Sequence, residues 1–174
     1  MTEEGLPSNR FRLETHDPPL SIRVYAQWEI ERIDPPAGRF VVVSITDTDR
    51  RAGRANLTNL GPAPVLRLSF HDGVTARGMM DEQAVQFWEF IRANLGTVDT
   101  VLLHCGAGAV RSPALALALS RAFRGDDLPA CSDAEPDAAT YATAARAFSR
   151  VFGRPFPTPE DLRKRGGQAR DDGR

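Results

Sequence analysis

Apolar and polar positions along the chain alternate between two kinds of block. Phe40-Val-Val-Val-Ser-Ile45 is a nearly unbroken β-branched run, and Val65-Leu-Arg-Leu-Ser-Phe70 and Thr100-Val-Leu-Leu-His104 are two further short runs. The first is expected of a strand buried on both faces of a parallel sheet, the second reads as another strand, and the third as a short buried strand. Between them lie helical periods. From Asp81 to Leu95, Ala84, Phe87, Trp88, Ile91 and Leu95 fall on one helix face, and from Asp137 to Phe152 the positions Tyr141, Ala145, Phe148 and Phe152 do the same, with Asp137 as the cap. Ser112 to Phe123 is nearly all Ala and Leu, which predicts a buried central helix with Pro113 in its first turn. Apolar side chains at 22, 25, 26, 30 and 33 predict a further helix, stopped by Asp34-Pro35-Pro36.

Strands alternating with helices imply an α/β fold of three layers, a mainly parallel central sheet flanked by helices. The polar, proline-interrupted residues 1–20 read as an irregular segment, 21–155 as the folded domain, and 156–174 as a flexible tail.

Composition narrows the function. The 174 residues carry 22 Lys and Arg against 23 Asp and Glu. That near-neutral balance argues against sequence-independent nucleic-acid binding, which needs clustered excess cation. The longest mostly apolar stretch, Pro113 to Ala122, is half a membrane span, and the start of the chain is acidic where a secretory signal is basic. The expectation is a cytoplasmic protein with no membrane partner. Cys105 and Cys131 form no CxxC pair, so neither a disulfide framework nor a cysteine-rich zinc site is expected. The near-exclusive use of Arg over Lys fits a GC-rich, bacterial genome.

The chemistry concentrates between the third strand and the central helix, in His104-Cys105-Gly106-Ala107-Gly108-Ala109-Val110-Arg111-Ser112-Pro113. Ligands of open α/β proteins bind at the carboxyl ends of strands, and this loop also meets a helix amino end. Five residues between Cys105 and Arg111 suffice to wrap a ring of backbone N–H groups around a tetrahedral anion, and small residues at 106–109 leave it unobstructed. A thiol in such a ring ionises readily, and a planar guanidinium can hold two oxygens of a phosphoryl group through its transition state. Cys105 is thus a candidate nucleophile and Arg111 a candidate phosphate clamp, with Gly106, Ala107, Gly108, Ala109 and Val110 as the phosphate-binding backbone.

This segment resembles the signature of cysteine-based protein tyrosine phosphatases, His-Cys-x-x-Gly-x-x-Arg-Ser/Thr, with His104, Cys105, Gly108, Arg111 and Ser112 at its fixed positions. Within that superfamily it is most similar to the dual-specificity-like branch and to small bacterial predicted tyrosine phosphatases. The resemblance implies a phosphocysteine intermediate, no cofactor and no metal. It implies that Ser112 helps the thiolate leave, that His104 orients the loop, and that an Asp about thirty residues before the Cys protonates the leaving oxygen. Asp72 meets that last condition, with Asp81 as its rival. Val110 departs from the small or polar residues commoner at its position. The loop carries no extra positive charge beyond Arg111, which favours a phosphoprotein or simple aryl phosphate over polyanionic substrates.

Other residues have plainer readings. His71 is expected to pack or face solvent, Asp47 and Asp49 to form a turn or else line the site, His104 to act as a structural hydrogen-bonder, and Trp28 and Trp88 to lie in or near the core. Cys131 reads as incidental, a disulfide to Cys105 being the alternative. Two competing functions remain: a phosphate-binding module without a working acid, and a rhodanese-like sulfurtransferase.

Overall fold

The computed structural model describes residues 20–49, 53–124 and 135–161. The elements in chain order are β1 (Ser21–Ala26), α1 (Gln27–Ile30), β2 (Phe40–Thr46), β3 (Val65–Ser69), α2 (Asp81–Asn94), β4 (Thr100–Cys105), α3 (Arg111–Leu119) and α4 (Ala138–Phe152). The four strands form one sheet in the order β1-β4-β2-β3, and every pairing is parallel. The two most apolar runs, β2 and β4, take the central positions, where both faces of a strand are covered. β3 alternates exposed and covered positions, as suits an edge strand.

The helix expected over residues 22–33 is corrected. Its first half is β1, paired with β4 so that Ala26 stands beside Cys105, and only a four-residue helix follows. Ile22 and Val24 join the core on one face of the sheet while Tyr25 packs on the other, a two-residue alternation that the same apolar positions also satisfy. An available edge on β4 decides between the two periods, and it is not visible locally.

One face of the sheet is covered by α2, α3 and α4. Trp88 is the hub there: fully buried, it donates from Nε1 to the Ala144 carbonyl at 2.7 Å and meets Phe148 edge-on at 5.0 Å. Phe156, assigned from sequence to the tail, also packs on this cluster, 5.4 Å from Phe148. The other face has a thinner cover, in which Ile30, Ala55, Leu57 and Leu60 lie over Val42 and Leu102. Trp28 departs from the core role expected of it: on α1 it is 61% exposed. The central helix begins at Arg111, one residue earlier than expected, and continues past Leu119 into a π-helical turn over Ser120–Arg124. No helix among the described residues is long and apolar enough to cross a membrane. Cys131 lies outside the described residues, as do residues 1–19 and 162–174.

Candidate active site

Cys105 closes β4 and Arg111 opens α3, so the loop between them sits at the carboxyl end of the central strand. Its shape follows from where its carbonyls go. The Gly106 carbonyl accepts from the Gln27 amide at 3.0 Å, and the Val110 carbonyl accepts from the Asp137 amide at 3.0 Å. With those oxygens engaged outside the ring, amides are free to turn inward. Gly108 takes φ +72° and lies so close to β1 that a β-carbon would come within 2.6 Å of the Ala26 nitrogen and 2.7 Å of the Tyr25 carbonyl carbon. Glycine is therefore required there twice, for its dihedral and for its packing. Gly106 and Ala107 are exposed at the mouth, and Ala109 and Val110 are half-buried.

The Cys105 sulfur is 2% exposed by residue and accepts a hydrogen bond from Ser112 Oγ at 3.1 Å. Burial pushes the thiol pKa up, but the Ser112 hydroxyl, the backbone amides of Ser112 and Val110, and the Arg111 charge outweigh it and bring the thiol below its ordinary value. Each of these stabilising groups favours the thiolate. His104, fully buried one residue earlier, shares a 2.8 Å hydrogen bond through Nε2 with Ser44 Oγ on β2, its register partner. Burial lowers its pKa to about 4, so the ring is neutral near pH 7.

Arg111 is buried and held from one side: Nη1 donates to Asp47 Oδ1 at 2.6 Å and to the Phe70 carbonyl at 2.8 Å. Nη2 lies beside Gly106, 3.6 Å from where a β-carbon would sit. The guanidinium is thus anchored by one nitrogen and offers another edge to the loop. Asp47, read from sequence as a turn residue or site-liner, is a direct partner of the arginine. His71 stands beside it, with Nδ1 3.9 Å from Asp47 Oδ1 and Nε2 2.6 Å from Thr48 Oγ1. Asp49 is exposed.

Asp72 and Asp81 part company. Asp72 lies on the loop after β3, exposed and without a hydrogen bond or ion pair among the described residues. The residues around it are tied to the cradle, since Phe70 accepts from Arg111 and the Gly73 amide donates to Asp137. Asp81 starts α2 and faces away to Arg146 and Arg150, each at 3.3 Å. Asp137 was legible in the sequence only as a helix cap; its bond to Gly73, 64 residues earlier, left no local signal. An open groove of about 700 Å³ lies next to the loop, lined by Thr48, Asp49, Ser69, Arg77, Met80 and Gln83 among others. Among the described residues no three His, Cys, Asp or Glu side chains are grouped to hold a metal ion.

No protein-family model matches the chain, and no curated protein matches it. Among the solved structures that are similar to it are the following two. Tk-PTP in its active form is 19% identical with a TM-score of 0.42, covering 85% of this chain and 90% of its own. The human tyrosine phosphatase-like serine/threonine/tyrosine-interacting protein is 18% identical with a TM-score of 0.41, covering 76% of this chain and 79% of its own.

Proposed function

We propose that the chain is a phosphomonoester hydrolase of the protein tyrosine or dual-specificity type, acting in the cytoplasm on a phosphoprotein or a simple aryl phosphate. The observation that carries this reading is the Cys105 sulfur, stabilised as a thiolate by Ser112 and loop amides at the base of a ring that ends on an anchored arginine. In the reaction, Cys105 attacks phosphorus, the sulfur–phosphorus bond forms as the ester P–O bond breaks, and Asp72 gives its proton to the leaving oxygen. Water then attacks phosphorus, returns a proton to Asp72 and releases the thiolate, whose charge Ser112 supports. Arg111 and the amides of Gly106 to Val110 hold the phosphoryl oxygens as charge redistributes.

The test is hydrolysis of para-nitrophenyl phosphate against pH in the presence of a chelator. Cys105→Ser should abolish turnover, and Asp72→Asn should lower it by about a hundredfold or more while removing the basic limb of the profile. Turnover that survives Cys105→Ser sinks the reading. The exposed, unpartnered state of Asp72 favours one other reading, a phosphate-binding module without an effective acid. Tight vanadate binding with no hydrolysis by the wild type would establish it.

A further inference from the structure

The loop that carries Asp72 folds on itself. The His71 amide donates to the Arg77 carbonyl at 2.7 Å, and the Gly78 amide to the Thr75 carbonyl at 3.0 Å. Gly73 has φ +80°, and a β-carbon on Gly78 would come within 2.7 Å of the Gly73 carbonyl oxygen. Such a loop moves as a unit, so its placement depends on its tethers. On one side of Asp72, Phe70 is bonded to Arg111 and the His71 ring to Thr48 Oγ1 at 2.6 Å; on the other, the Gly73 amide donates to Asp137 Oδ1 at 3.1 Å.

Asp137 is itself attached to the cradle, because its own amide donates to the Val110 carbonyl at 3.0 Å. Its second carboxylate oxygen is taken by α4, accepting from the Thr140 amide at 2.9 Å and the Thr140 hydroxyl at 2.5 Å. An N-cap needs only one acceptor. The other oxygen is left to reach across to the loop, which a serine cap cannot do. Burial pushes the Asp137 pKa up, but the donated hydrogen bonds from Thr140 and Gly73 hold it below the usual carboxylate range, so the bridge is ionised near neutrality.

We infer that Asp137 is a positioning residue that joins the Asp72 loop to the cysteine cradle, holding the proton donor in register with the bound phosphoryl group. The inference rests on the phosphatase reading above and deepens it. Asp137 acts only through Asp72, so its removal should matter in proportion to how much the leaving group needs a proton.

The experiment uses Asp137→Ser, which keeps a cap and removes the bridge, on two esters. Phenyl phosphate leaves poorly without a proton, whereas 2,4-dinitrophenyl phosphate leaves as the anion. The expected result is a kcat loss of about tenfold or more on the first and less than about twofold on the second, with vanadate affinity unchanged. Added to Asp72→Asn, the same substitution should cost nothing further. Equal losses on both esters, no loss on either, or additive losses with Asp72→Asn would overturn the inference. Should the wild type bind vanadate yet hydrolyse neither ester, the phosphatase reading fails by itself. Amide exchange then decides the bridge: faster exchange confined to residues 71–78 in Asp137→Ser supports it, and unchanged exchange there refutes it.

Discussion

The two halves of the candidate site are built in opposite ways. The cradle, Cys105 to Ser112, is contiguous in sequence and continuous with a central strand and a buried helix, with Ser112 bonded to Cys105 inside it and Gln27, Asp47, Phe70 and Asp137 bonded to it from outside. The loop proposed to carry the acid, 71–78, is largely exposed and owes its placement to bonds with residues far away in the chain: Arg111 to Phe70 just before it, Thr48 to His71, and Asp137 to Gly73. Binding an anion requires a rigid, desolvated ring, which a core can supply. Delivering a proton requires a group that stays near water and exchanges with it, which a core cannot supply. Damage to the cradle should therefore remove binding and turnover together, and damage to the loop should remove turnover alone.

The largest expected effect is that of Gly108→Ala. A β-carbon would press into the backbone of Tyr25 and Ala26 from a left-handed dihedral. A cost of about 4 kcal/mol or more follows, read as a lowered urea midpoint with loss of vanadate binding. A stable variant with vanadate affinity intact would show that the cradle is not as tightly built as the contact implies.

Arg111→Lys comes next. A lysine can reach Asp47 or the phosphoryl group but not both, so kcat should fall by about a thousandfold, with phosphate affinity falling as well. If affinity is kept, Asp47 rather than the anion is the principal partner of the side chain.

His104 gives a stability test with a fixed sign. Its pKa is about 4 in the fold against an ordinary 6.5, so the unfolded chain takes up the proton first. Stability contributed by the neutral ring is complete above about pH 6.5 and is lost as pH falls toward 4, by about 3 kcal/mol at that limit. Urea unfolding of wild type and His104→Gln between pH 7 and pH 4 should converge by that amount; parallel curves would refute the assignment.

Ser112→Ala should raise the pH midpoint of Cys105 alkylation and slow turnover by about tenfold. The smallest effect belongs to the tip of the acid loop. Val74 is 95% exposed, and Val74→Ser should change stability by less than about 0.5 kcal/mol. A large loss of activity from that change would mean the tip touches substrate, blurring the distinction between the halves.

Much of this was legible in the residues alone. The run at Phe40 determines a strand because a continuous β-branched run has few other stable placements, the short runs at Val65 and Thr100 are strands by their length, and the face from Ala84 to Leu95 determines α2 by its helical period. The candidate cradle was legible because the chemistry proposed for it is local: cysteine, glycine and arginine follow one another at a spacing that suits the size of a tetrahedral anion. Only the tertiary structure decided that residues 21–26 are a strand, since two periods fit the same apolar positions and the free edge of β4 breaks the tie. It also decided that Asp47 holds Arg111, that Asp81 turns to Arg146 and Arg150, and that Asp137 reaches Gly73. Each of those is one carboxylate choosing among distant donors. Hydrophobic pattern carries no information about that choice, because polar pairing depends on which loops the packed sheet brings within about 3 Å.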